Sequence, residues 1–161
     1  MSGNSALDRT DLRLLALLQR QGRATNAEIA AQVNLSPSAC LRRVQRLEAA
    51  GVIAGYAALV EPRAVGLGLQ AFVRVQLERH GQPAIEQFIE ALGDWDEVVA
   101  CHALTGGMDY QLHVVVQDLE HFSRFLLDKL LNNAGVADVN SSFVLRTVKQ
   151  TRALPLAHLG S

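Results

Sequence analysis

Near residue 69 the hydrophobic pattern changes period, and that change limits what the chain can fold into more than any other feature. Before it, apolar residues recur at three- and four-residue steps, as one face of a helix requires. After it, several stretches alternate every second residue, as half-buried strands require. With 161 residues, 49% of them hydrophobic, the chain holds enough apolar material for one ordinary domain or two small ones. No run approaches the roughly 18–20 apolar residues of a membrane span. The opening "MSGNSALDRTD" also lacks the basic-then-apolar layout of a secretory signal, so a globular cytoplasmic protein without membrane contact is expected.

The N-terminal third reads as three helices. "LDRTDLRLLALLQRQGR" gathers Leu14, Leu15, Leu17 and Leu18 on one side, with Asp8 as N-cap and Gly22 as C-terminal cap. "TNAEIAAQV" opens with Thr25 and Glu28 at capping-box spacing. Asn34 and Leu35 turn the chain, Ser36 caps, and Pro37 suits a first helical position, where its missing N–H goes unbonded anyway. A third helix then runs to Ala50, and Gly51 stops it.

At 100° per residue, Cys40, Leu41 and Leu47 fall within about 60° of Val44 and form the buried stripe. Arg42 and Arg46 lie about 160° away, sharing the outer face with Ser38, Ala39 and Ala49, while Arg43 and Gln45 flank it. This is either an ordinary solvated face or the second helix of a helix-turn-helix, whose first residues approach base edges while arginines meet phosphate or guanine. The preceding short helix and tight turn favour the second reading. Charge does too: residues 1–60 hold seven Arg against four acids, a net of +3, whereas the remainder holds eight bases against twelve acids, a net of −4.

"VIAGYAALVEP" reads as a strand, turn and strand leading out of this domain. Beyond it come a strand in "LQAFVRVQL", a helix in "QPAIEQFIEAL", strands in "EVVACHALTG" and "DYQLHVVVQ", a helix in "DLEHFSRFLLDKLLNN" and a strand in "VADVNSSFVLRTVKQ". The order β-α-β-β-α-β is the ferredoxin-like motif, so the fold class is α+β. Both helices on one side of its sheet would leave the other face open, and with so many Val and Leu on strands a second subunit is expected to cover it.

No enzyme chemistry is legible. His80, His102, His113, His121 and His158 lie on separate elements without metal-binding spacing, and Cys40 and Cys101 read as small buried hydrophobes. Neither a nucleophile elbow nor a phosphate loop is present, so no catalytic residue, metal or cofactor is expected. "LTGGMDY" stands out, because adjacent glycines at a turn offer amides to a carboxylate while Asp109 offers a partner to an ammonium. On chemistry alone a plain hairpin turn, with Asp109 capping local backbone, is the better account.

Taken together, "LDRTDLRLLALLQRQGRATNAEIAAQVNLSPSACLRRVQRLEAAGVIAGYAALVEPRAVG", "FVRVQLE", "VVACHALTGGMDYQLHVVV" and "FVLRTVKQTRALPL" closely resemble the Lrp/AsnC (leucine-responsive, feast/famine) family of transcription factors. Leu35, Ser36, Ser38, Arg43, Leu47, Gly51 and Ile53 meet the family's pattern in register. The resemblance implies a winged helix-turn-helix over residues 1–60, a linker at 61–69 and a ferredoxin-like RAM domain over 70–161. It implies double-stranded DNA contacts by Ser36, Ser38, Ala39, Arg42, Arg43 and Arg46. It also implies homodimers gathered into octamers, with an amino-acid effector between dimers at Leu104, Thr105, Gly106, Gly107, Met108, Asp109 and Tyr110, joined by Ser141 and Ser142. The alternative is an effector-independent regulator or DNA-organising protein that works through oligomerisation.

Overall fold

The computed structural model describes residues 7–78, 82–133 and 135–159, so His80 lies outside the described residues. Two compact units emerge, one containing the chain up to Leu59 together with the residues from Lys149 onward, the other running from Val60 to Val148.

In the first unit, α1 (Arg9–Leu18) starts from a capping box. The Asp8 carboxylate accepts from the Asp11 amide at 2.8 Å and the Asp11 carboxylate accepts from the Asp8 amide at 3.1 Å. The helix ends at Leu18 with Gln19 as its cap in right-handed conformation, not at Gly22. The Arg20 and Gln21 amides both donate to the Leu17 carbonyl, so turn bonds close the helix without a left-handed residue. α2 (Asn26–Gln32) starts from the Thr25–Glu28 box, and Asn34, at φ 57°, turns the chain. In α3 (Pro37–Ala49), Ser36 Oγ accepts from the Ala39 amide at 3.3 Å, and Gly51 lies left-handed just past the end. Asn26 Nδ2 donates to the Pro37 carbonyl at 2.8 Å and pins the start of α2 to the start of α3.

Leu14, Ile29, Ala30, Val33 and Cys40 form the core of this unit, with Leu17, Leu18 and Val44 against it. Leu41, expected in the stripe, is 45% exposed. The strand pair expected in "VIAGYAALVEP" does not form, and residues 54–61 run without a ladder. A two-stranded ribbon is marginal without a surface to pack on, and Tyr56, Leu59 and Val60 are all more than half exposed.

The second unit opens with a 3₁₀ turn (Pro62–Val65) inside the expected linker. There follow β1 (Leu69–Leu77), α4 (Gln82–Leu92), β2 (Val98–Ala103), β3 (Tyr110–Val116), α5 (Leu119–Arg124) and β4 (Val136–Phe143). α5 runs on as a π-helix over Phe125–Leu130. The sheet is antiparallel in the order β2-β3-β1-β4, as the ferredoxin-like motif requires. Ala71, Val73, Val75 and Leu77 alternate with exposed or half-buried residues along β1 and point to the helix side with Leu112, Val114 and Val116. Phe88 of α4, with Phe122, Phe125 and Leu130 from the second helical stretch, covers them.

The opposite face carries Gln70, Phe72, Arg74 and His113. Phe72 stacks on His113 at 4.9 Å, and Arg74 donates to Asn140 at 3.0 Å. Most of the valines and leucines of β1 and β3 thus point to the helices, so their number alone does not make the open face apolar.

The last strand, expected to reach Gln150, stops at Phe143. Phe143 pairs with Ala71 and the Val144 amide donates to Gln70, so β1 has little length left to pair with. Residues 149–159, which the resemblance counts with the RAM domain, cluster by contact with the first unit. There Gln19 holds the Leu154 backbone, its side-chain oxygen accepting from the amide at 2.6 Å and its nitrogen donating to the carbonyl at 3.4 Å. Among the described residues no helix is long and apolar enough to cross a membrane.

Candidate functional site

On α3, Ala39 stands three and four residues before the adjacent Arg42 and Arg43, and Arg46 four and three after them, so the four form a single stripe. With Leu35 and Asp8 they line an open cleft of about 460 Å³. Ser36 and Ser38, at the start of the helix, are exposed, with their hydroxyls 3.3 Å apart. Of the six residues assigned to DNA contact, Ser36, Ser38 and Ala39 thus stand at the start of α3, Arg42 and Arg43 in its middle and Arg46 in its last turn.

Their electrostatics differ from the expectation. Arg46 Nη2 donates to both Asp11 oxygens at 2.6 Å, and Arg43 Nη1 donates to Asp8 at 2.6 Å and to Asp11 at 2.9 Å. Arg46, read as pointing straight outward, is instead drawn to the start of α1. Arg42 makes no ion pair or hydrogen bond among the described residues, which leaves it as the stripe's uncommitted cation. Glu48 is exposed and accepts from Tyr56 Oη at 3.0 Å.

Sequence reasoning missed Asp11 altogether. The signal was present, because Asp11 shares the buried side of α1 with Leu14 and Leu15 and is itself only 1% exposed. An acid there must be paired. Burial pushes its carboxyl up, but hydrogen bonds from Arg46, the Asp8 amide and Arg43 outweigh that and hold it below the ordinary value of 3.8. Asp8 is lowered by the Asp11 amide first and Arg43 second. Groups lowered on folding stabilise the protein above their ordinary value, and that stability fades as pH falls through the lower, folded value. Acid titration followed by circular dichroism should therefore show the first unit losing stability below about pH 3.8. Asp11→Asn should make that loss smaller.

The second group of predicted residues sits at one end of the sheet. The Asp109 amide donates to the Val75 carbonyl at 2.9 Å, and Asp109 Oδ2 accepts from the Leu77 amide at 2.8 Å. The β1–β3 ladder ends at the Val75–Tyr110 pair, so Asp109 supplies the acceptor that Leu77 would otherwise lack. The Leu104 amide closes the loop onto the Asp109 carbonyl at 2.8 Å. Gly106, at φ 119°, adopts a backbone that L side chains rarely enter, and a Cβ at Gly106 or Gly107 would meet nothing within 4 Å. Leu104 through Gly107 are exposed, Met108 is half-buried, and Tyr110 leaves the loop with its ring 5.2 Å from Phe88.

Ser141 and Ser142 are not equivalent. Ser141 pairs with Val73 on the helix side of the sheet, whereas Ser142 pairs with Phe72 on the open side. A ligand on one face of the sheet reaches one of them, not both. Both are removed from the loop, since Ser141 lies two residues, about 7 Å, along β4 from Val139, the partner of Val75.

Comparison with known proteins gives both units a counterpart. Residues 7–54 match the winged helix-turn-helix DNA-binding family, and residues 70–154 match the Lrp/AsnC ligand binding domain. The leucine-responsive regulatory proteins of Escherichia coli (strain K12) and Klebsiella pneumoniae are each 39% identical over 148 residues, covering 92% of this chain and 90% of theirs. A transcriptional regulator from Neisseria meningitidis, solved in complex with L-Met, is 50% identical with a TM-score of 0.93, covering 95% of this chain and 99% of its own. An AsnC family transcriptional regulator from Agrobacterium tumefaciens is 32% identical with a TM-score of 0.88, covering 94% of this chain and 98% of its own. These relatives are transcriptional regulators and not enzymes. Matched in both its units and aligned along nine-tenths of its length, the chain belongs to the Lrp/AsnC family of DNA-binding transcriptional regulators, with a ligand-binding domain following its winged helix-turn-helix.

Proposed function

We propose that this regulator acts on genes of amino-acid metabolism in the cytoplasm as a homo-oligomer, with α3 in the major groove and a free amino acid as effector. The observation that carries the DNA half is the single stripe formed by Ala39, Arg42, Arg43 and Arg46 behind the exposed hydroxyls of Ser36 and Ser38. Small residues at the helix start permit close approach to base edges, and the arginines further along reach phosphate or guanine. With a net of only +3 on residues 1–60, one subunit binds weakly. Dimers assembled into an octamer gain by effective concentration.

The effector half places an amino acid between dimers at Leu104–Tyr110 with one of the two serines. Glycine amides face its carboxylate and Asp109 faces its ammonium. The L-Met complex of the Neisseria meningitidis regulator makes methionine the first ligand to try. Binding shifts regulation only if the amino acid has different affinity for two packings of the dimers.

Calorimetry with each standard amino acid on wild type, Asp109→Ala and Asp109→Asn tests this. The asparagine keeps an oxygen for the Leu77 amide but removes the charge. An ammonium contact predicts that Asp109→Asn binds about ten-fold or more weakly, the value of a hydrogen bond to a charged group, with its melting midpoint unchanged. Wild-type affinity in Asp109→Asn would reduce Asp109 to a backbone cap. The effector-independent reading draws on that same bond, since one Asp109 oxygen is already committed within the fold. Sedimentation velocity with and without L-methionine separates the two, because only an effector acting on packing shifts the oligomer distribution.

A further inference from the structure

Two of the three arginines on the α3 stripe are held by acids from another helix. The buried Asp11 accepts from Arg43 and Arg46, and the half-exposed Asp8 accepts from Arg43 as well. Two carboxylates and two guanidiniums make this cluster electroneutral, so of the three arginines lining the cleft only Arg42 carries a charge that no acid opposes.

A brace between two helices would be served by a single pair. Here the second acid has a further consequence, since neutralising both arginines weakens the attraction to phosphate that underlies sequence-independent DNA binding. The guanidiniums are not used up. Arg43 is held through Nη1 and Arg46 through Nη2, which leaves Nε and the other terminal nitrogen of each without a partner among the described residues. An arginine held by one terminal nitrogen against two carboxylate oxygens has its head placed and its remaining donors free, and placed donors are what base-edge recognition requires.

We propose that Asp11, with Asp8, is a positioning and specificity-determining residue of the DNA interface. It orients Arg43 and Arg46 for base or phosphate geometry that fits them, and it withholds their charge from DNA at large. The proposal rests on the assignment of α3 as the DNA-binding helix.

The test uses two duplexes, one of mixed sequence and one selected by the wild-type protein from a random library, each titrated across a salt series with wild type, Asp11→Asn, Asp8→Asn and Arg42→Ala. Asparagine is a good N-cap, so Asp8→Asn keeps α1 intact even where Asp11→Asn fails to fold. The expected result is that each acid variant binds the mixed-sequence duplex about three- to ten-fold more tightly at low salt. Its logarithmic salt slope should steepen by about 0.9 for each additional phosphate that a released arginine neutralises. The preference for the selected duplex over the mixed one should fall by a similar factor.

Weaker binding to both duplexes with an unchanged ratio would make the acids simple braces and overturn the proposal, while Arg42→Ala would still show that α3 binds DNA. Full affinity in Arg42→Ala with no effect of the acid variants would overturn both the proposal and the assignment of α3. Circular dichroism on every variant distinguishes loss of fold from loss of contact.

Discussion

Phe88→Ala is expected to destabilise the second unit by about 3–5 kcal/mol, the usual cost of removing a fully buried aromatic ring, and to lower its melting midpoint by more than ~10 °C. Phe88 is 0% exposed and is the one ring of α4 in the core. Its ring meets Trp95 edge-on at 6.0 Å and Tyr110 at 5.2 Å, Trp95 meets Phe125 at 5.7 Å, Phe125 lies 6.5 Å from Phe122, and Phe122 meets Phe143 at 5.0 Å. The chain of rings thus runs from the last residue of the glycine loop to the last residue of β4. Truncation would leave a cavity under Tyr110, so the amino-acid affinity proposed for the loop should be lost before the unit unfolds. The single tryptophan, Trp95, lies in the same cluster and reports the transition by fluorescence. The helices α1 to α3 have a core of their own and should keep their circular dichroism at temperatures where Trp95 has already become exposed. An unchanged Trp95 midpoint would mean that the rings touch without supporting one another.

The parts of this fold that were legible beforehand are those whose cause is local in the chain. The Thr25–Glu28 box, the Ser36 cap with Pro37 after it, the left-handed Gly51 and the alternation of "LQAFVRVQL" each follow from residues within a few positions of one another. What escaped depends on a distant partner. A helical wheel for α3 contains no α1, so it sends Arg46 to solvent when Asp11, thirty-five residues earlier, holds it. It buries Leu41 because nothing in α3 itself shows that the buried stripe takes Cys40 and Leu47 and stops short of Leu41. The strand ending at Phe143 reads through to Gln150 because apolar spacing continues past the point where β1 can pair. Ser141 and Ser142 go together by adjacency, yet strand geometry sends neighbours to opposite faces, and the register decides which face is which. For Asp109 the reading as a cap for local backbone is right in kind, but the amide it caps belongs to Leu77 on another strand.

Ala39→Glu separates folding from DNA binding because the two respond with opposite sign. Ala39 is the third residue of α3 after the Ser36 cap, and the first turn of this helix contains no acid. A glutamate there completes a capping box with Ser36 and places negative charge at the positive end of the helix dipole, so the melting midpoint should hold or rise slightly. The same carboxylate enters the cleft one turn before Arg42 and Arg43, where it can pair with either and repels any phosphate they would approach. Loss of one arginine–phosphate hydrogen bond of the charged kind costs about 1.5–3 kcal/mol, so DNA affinity should fall roughly 10- to 150-fold, with a shallower salt slope. Ala39→Gln is the matched control, offering nearly the same shape and a neutral box partner, and should lose far less. Equal loss in both variants would mean that bulk at position 39, and not charge, keeps α3 from the groove. Full affinity in Ala39→Glu would remove this face of α3 from the DNA interface, for an acid set among its arginines could not be ignored by a polyanion bound there.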